Sequence, residues 1–347
     1  LRALRQNDTL KPDARKLLSF TDNRQDASLQ AGHFNDFLEV GMLRTALFDA
    51  VQAAGPDGIP HDTLPLRVFD ALKLPIDLYA IDPTVKFQQK IETERALREV
   101  LAYRIYQDLR RGWRVTSPNL EQCGLLKIEY LSLADLCTTQ EEWASKHPAL
   151  ADAAPEVRLS ISKTLLDYLR RELAIKVDYL DSVYQETLRQ RSNQRLKEPW
   201  AIDDDEQLLH SYVAYPRGRK ADDSRESVYV SGRGGFGLYL RRLGTLPHYD
   251  KKLTVEETEK IIVQLFAALR VAGLVEPVDE PKNPDEAPGY RIPASALLWR
   301  AGDGSEPLRD VIRVPRAPKV GQRTNPYFAS RSDRPGSSGR QPDRPAP

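Results

Sequence analysis

A mainly α-helical chain with an α/β opening is the fold class that the sequence predicts, on three observations. A strand-like run, Leu17, Leu18 and Phe20, feeds directly into a helical pattern. Two long, charged, amphipathic stretches follow it. Further on, a capped helix leads into two extended pieces, the layout of a winged-helix domain.

Composition sets the frame. With 347 residues, 40% hydrophobic and 29% charged, the chain has room for two or three domains with modest cores. No apolar run approaches the ~18 residues that would span a membrane, and the opening "LRALRQNDTLKPDARK" lacks the apolar core of a signal peptide. A cytoplasmic location is therefore expected. Cys123 and Cys137 form neither a disulfide framework nor a metal pattern, so both are expected as buried thiols with no metal site. Because the first residue is Leu and a strand begins almost at once, the chain is expected to be a piece of something larger.

The first segment, residues 1–52, is a strand-turn-helix unit. Ala27, Ala31, Phe34 and Leu38 recur at helical spacing, and Thr21 or Asp22 can cap the helix by accepting from an orphan backbone N–H. A strand leading into a capped helix is the opening half of a βαβ unit. "AAGPDGIPHDTLP" then predicts a loop.

Residues 53–215 predict a helical insertion that serves as scaffold. Ile91, Ala96, Val100, Tyr103 and Leu109 mark one stripe, and "EVRLSISKTLLDYLRRELAIKVDYLDSVYQETLRQRSNQRL" a second amphipathic stretch. "TSPNLEQCGLLKIEYLSLADLC" reads as an apolar connection between them, and alternating charges as solvated faces. The acidic run Asp203, Asp204, Asp205 and Glu206 lacks a preceding strand that would fix a metal site, so it predicts a loop or helix N-terminus.

Residues 216–303 carry the winged-helix-like pattern. Thr254 and Glu257 form a capping box ahead of Ile261, Ile262, Leu265, Phe266 and Leu269. Gly273 ends that helix, Leu274–Val278 and "YRIPASALLW" are extended, "PKNPDEAPG" is the loop between them, and "FGLYLRRLG" is a short preceding helix. "GRGGFG" matches the spacing of a dinucleotide-binding turn, but no second strand follows within the ~30 residues such a unit requires. It is read instead as a flexible entry carrying Arg233, Arg241 and Arg242.

The formal charge of +1 hides an uneven distribution: residues 216–252 hold nine basic and four acidic side chains, and residues 309–347 nine and three. Such asymmetry suits a surface that faces a polyanion, although a solvated basic face is the plainer reading of one cluster. Arg233, Arg241, Arg242, Lys251, Lys252 and Arg291 are the candidate nucleic-acid contacts. Residues 304–329 are a connector, and 330–347, rich in Arg, Pro, Ser and Gly, predict a disordered tail. The abrupt change of composition there reads as an altered end, with a native linker as the alternative.

"LLSFTDNRQDASLQAGHF" resembles the fourth helicase motif of large bacterial superfamily 2 DEAD/DEAH-box helicases, in the DUF1998-associated group that includes Druantia- and DISARM-like phage-defence proteins. "GWRVTSPNLEQCGLLKIEYLSL" and "ALLWRAGDGSEPLRDVIRVPRAPKVGQRTNPYF" are similar to further segments of that group. The resemblance implies that residues 1–52 open the second RecA-like lobe, that helical and winged-helix regions interrupt it, and that residues 304–329 return towards it. It also implies that Thr21, Asp22, Asn23, Arg24 and Gln25 contact nucleic acid or the nucleotide edge. Arg24 could meet a phosphate with two N–H donors while Asn23 or Gln25 orients it; local capping by Asp22 and pairing with Arg24 is the plainer alternative.

The parent would use ATP and Mg²⁺. This chain has no G-x-x-x-x-G-K-[ST], no DEAD or DEAH sequence and no late arginine motif, so no cofactor and no hydrolysis are expected from it alone. DNA, or RNA, and the remainder of the helicase motor are the expected partners. A winged-helix protein-interaction module without a nucleic-acid role is the alternative.

Overall fold

The computed structural model describes residues 24–110, 118–220, 226–279 and 287–312, with side chains from residue 39 onward. The fold is mixed α/β, about half helical with two small sheets, one of them curled. The expected combination of helices with α/β structure holds, with helices making up about half. The chain divides into two compact units, Leu1–Met42 and Leu43–Pro347.

The boundary falls inside the first helix, α1 (Arg24–Ala54). The expected strand Leu17–Phe20 lies outside the described residues, as do Thr21, Asp22 and Asn23. So do the connector beyond residue 312 and the tail 330–347.

The segment after α1 corrects the loop expectation. Gly58, at φ 70, turns the chain into a short strand, β1 (Ile59–Pro60), which pairs antiparallel with a strand more than two hundred residues further on. Helix α2 (Leu64–Leu72) follows, with Pro65 in its first turn, where a missing N–H costs nothing. It packs on α3 (Phe87–Leu109) through buried Leu64 and Val68.

Helix α3 departs from its predicted stripe. Ile91 is exposed, while every residue from Glu99 to Leu109 is buried. The charges there are paired inside the protein: Arg104 forks onto Glu206, with one N–H···O at 2.8 Å, and Asp108 accepts from Arg44 at 2.6 and 2.9 Å. Burying an ion requires such pairing, and sequence spacing cannot show it.

The expected apolar connection is a strand, β2 (Leu126–Tyr130), in which Leu126, Ile128 and Tyr130 point inward. Short helices α4 (Leu133–Thr138), α5 (Gln140–Ala144) and α6 (Pro148–Ala151) lead to α7 (Pro155–Arg171). Buried Arg158 holds this corner by donating to Leu150 O at 2.9 Å, Cys137 O at 3.3 Å and Gln140 Oε1 at 2.7 Å. The second predicted amphipathic stretch breaks at Leu173, φ 59, into α7, strand β3 (Ile175–Lys176) and α8 (Ser182–Arg195). Asp181 caps α8 by accepting from the N–H groups of Val183 and Tyr184. The acidic run is a turn, as expected: Asp204 accepts from Asn193, and the backbone carbonyls of Asp203 and Glu206 accept from Arg189.

Strands β4 (Val213–Tyr215) and β5 (Ser227–Tyr229) lie parallel, followed by α9 (Gly235–Leu240), α10 (Val255–Val271), β6 (Glu276–Pro277), β7 (Tyr290–Pro293) and β8 (Leu297–Ala301). The capping box at Thr254 and Glu257 forms as expected, with bonds of 2.8 and 3.1 Å. One sheet has the order β1-β8-β2; the other has β3-β7-β4-β5, with β6 also on β7. A 3₁₀ turn at Ala294–Ala296 carries the chain from β7 in one sheet into β8 in the other. Trp299, fully buried on β8, faces Ile59 and Ile128 and meets Tyr106 of α3 edge-on at 5.9 Å. The three-stranded sheet thus draws on segments assigned separately from sequence.

After β8 the chain runs back along the turn before β2, with Leu308 N–H donating to Glu121 O at 3.0 Å. Cys137 is buried as expected, whereas Cys123 is exposed in that turn, because a turn buries its backbone contacts and leaves the tip outside.

Candidate nucleic-acid interface

The six basic residues selected from sequence between 233 and 291 have two kinds of surroundings. Arg233 is exposed at the tip of the turn before α9, and Lys251 and Lys252 are exposed just ahead of α10. These positions belong to one neighbourhood, because Gly232 packs so closely on α10 that a Cβ would lie 2.6 Å from Val255 O. Arg241, at the end of α9, is half-buried.

The other two are internal braces. The guanidinium of Arg242 donates to the carbonyl oxygens of Val311 and Ile312, the latter at 2.9 Å, and lies over the Tyr239 ring. Arg291 donates to Tyr212 O at 3.2 Å and Ser211 O at 3.3 Å, and burial lowers its pKa from the ordinary arginine value. Both have committed donors to backbone carbonyls and tie loops to the sheet.

The "GRGGFG" turn serves packing. A Cβ on Gly237 would collide with the carbonyl oxygens of Gly232 and Ser231, so only glycine allows α9 to begin so close to the turn. Helix α9 spans six residues and the next strand begins only at Glu276, which is not a dinucleotide-binding βαβ unit.

One group escaped the sequence reading. In β4 and β5 the middle residues Ala214 and Val228 are buried, and the flanking positions face outward. The parallel register places Tyr215 beside Tyr229, with ring centroids 5.9 Å apart and planes 15° from parallel. The Arg217 guanidinium lies 4.6 Å from the Tyr215 ring centre and 5.6 Å from that of Tyr229. Tyr215 O–H donates to Asp279 at 2.6 Å, and burial, then this bond, pushes its pKa up to about 12. Tyr215 directly ahead of the basic run "PRGRK" was the available signal; the pairing that brings Tyr229 beside it was not.

Arg24 and Gln25 open α1, and their side chains lie outside the described residues together with Thr21, Asp22 and Asn23. Among the described residues no group of three or more His, Cys, Asp or Glu side chains could hold a metal ion, and no helix is long and apolar enough to cross a membrane. No protein-family model, no curated protein and no solved structure matches the chain.

Proposed function

We propose that this chain is part of a superfamily 2 nucleic-acid helicase, contributing an edge of the second RecA-like lobe and an accessory region that contacts nucleic acid. ATP and Mg²⁺ would be bound by the complete motor. The resemblance of the segment Leu17–Phe34 and of two later segments supplies the class. The observation that carries the contact role is the exposed group Arg233, Lys251 and Lys252 beside the start of α10. The order of α9, α10 and the β6–β7 hairpin supports a winged-helix-like reading of the same region.

Cations on one exposed face bind a phosphate backbone by releasing its counterions, which makes affinity fall steeply with salt. Binding of labelled single- and double-stranded DNA, followed over a range of salt concentrations, tests the reading. Binding is expected to be salt-sensitive and unaccompanied by ATP hydrolysis. The variant Lys251→Glu/Lys252→Glu should weaken binding and lower the salt slope by about two. Unchanged affinity in that variant would remove this face from the proposal, and DNA-stimulated hydrolysis would place an ATP site in the chain after all.

Exposed Leu238 and Leu243 on and after α9 favour a second reading, a protein-docking module. Absence of DNA binding even at low salt would favour it.

A further inference from the structure

We infer that residues 303–312, the segment after β8, form a detachable strap that clasps α9 to the helical part, and that lifting the strap frees Arg242. The lifting follows from the strap's own contacts; its effect on ligand binding rests on the nucleic-acid reading above.

The strap is tied towards its ends and spans a gap. At its start the N–H groups of Gly302 and Gly304 donate to Leu125 O and Gly124 O, each at 2.9 Å. At its far end Ile312 packs on the first turn of α9, where a Cβ on Gly235 would come within 2.8 Å of Ile312 Cγ2. There the Arg242 guanidinium donates to Val311 O and Ile312 O. Beneath Leu308 and Asp310 a polar cavity of about 210 Å³ opens, with Arg110, Asn119, Gln122 and Arg171 of the body on its other side. Arg171 Nη1 stands 3.6 Å from Asp310 Oδ2, beyond hydrogen-bond length.

Segments open below global unfolding when they bury little apolar surface and rely on exposed backbone hydrogen bonds. Between Asp303 and Ile312 only Ile312 is buried, and residues 303–307 and 309 are exposed. The Lys127–Glu306 pair at 2.7 Å lies on the surface, where an ion pair adds little. Strand β8, in contrast, is central in its sheet, with Leu297, Leu298 and Trp299 buried. The strap can therefore lift while the strand before it stays paired. Helix α9 responds, because Ile312 lies on its first turn and both carbonyls that Arg242 holds belong to the strap. Once those acceptors leave, the guanidinium must find water or a phosphate instead. Lifting thus adds an available cation to the basic region 216–252.

Hydrogen–deuterium exchange of the full chain, read by mass spectrometry, tests the strap without any ligand. In the parent, peptides covering residues 303–312 and 235–243 should exchange faster than those of β8 and α7. Arg242→Ala should speed exchange in both by about tenfold or more, the loss expected for a hydrogen bond from a charged group. Gly124→Ala strikes the half of the strap away from α9, since its Cβ would lie 3.1 Å from Glu306 C and Pro307 N. It should speed exchange in 235–243 as well as in 303–312, with α7 within about twofold of the parent. Circular dichroism checks that each variant is folded. Exchange of the strap only at the rate of β8 would overturn the inference, as would an acceleration in Gly124→Ala that stops short of 235–243. If exchange behaves as expected but the parent binds no DNA at low salt, the nucleic-acid reading fails and the strap stands.

Discussion

Arg170 is fully buried in α7, and its guanidinium grips Glu121 with bonds of 2.9 and 2.5 Å, Tyr130 Oη at 3.0 Å and Asp167 at 3.2 Å. Its replacement by Met leaves buried Glu121 without its cation and Asp167 with Lys163 alone, and such a break costs about 3–5 kcal/mol. Urea denaturation of Arg170→Met should show that loss, and the double variant Arg170→Met/Glu121→Leu should recover part of it. The same cluster sets a pH response. Burial alone would raise the pKa of Asp167, but Arg170, then Lys163, then the Tyr130 hydroxyl outweigh it and hold the carboxyl below the ordinary aspartate value. A depressed carboxylate contributes stability that is present in full above the unfolded-state pKa near ~3.9 and lost as pH falls through the lower folded-state value. Asp167→Asn should therefore flatten the decline of stability in acid; an unchanged acid limb would show that Asp167 does not govern it. None of this was legible in sequence, where Arg170 stands in a charged stretch and its main partner lies 49 residues away.

Elements were legible in proportion to how local their causes are. The helix at Thr254 follows from a cap and a box within four residues, and the structure reproduces both. The exposed cations Arg233, Lys251 and Lys252 were readable for the same reason: exposure follows from polar residues at turn and cap positions. Strands β1 and β3, two residues each, exist because partners from distant segments pair with them, and no periodicity can appear in two residues. Strand β2 shows the alternation that a strand needs, yet short apolar runs are ambiguous between a strand and a buried connector. The Tyr215–Tyr229 pair needed the same missing information, a register between β4 and β5. At this scale Gly237→Ala is the discriminating change. A Cβ there meets two carbonyl oxygens of the preceding turn, and forced overpacking costs about 1–3 kcal/mol. Thermal melting should show a lowered midpoint, and an unchanged midpoint would mean that the turn has room the geometry denies.

On the scale of the whole molecule, β8 joins what the sequence lists separately. It pairs with β1 near residue 59 and β2 near residue 128, and the 3₁₀ turn before it ties that sheet to β7. Buried Trp143 and Trp299 lie in the helical part and in this sheet. If Leu43 onward behaves as one cooperative body, tryptophan fluorescence and far-ultraviolet circular dichroism should report the same urea midpoint. Separate midpoints would mean that the helical part and the sheets unfold independently.

The central position of β8 also matters while the chain is being made. Strands β1 and β2 leave the ribosome early, but the strand that lies between them is completed only at Ala301. At about 5–20 residues per second, β1 waits roughly 12 to 48 s for its partner. Throughout that interval the edges of β1 and β2 that will face β8 are unpaired, and open strand edges invite pairing with other chains. In newborn copies those edges stay open to other chains until the last described strand emerges.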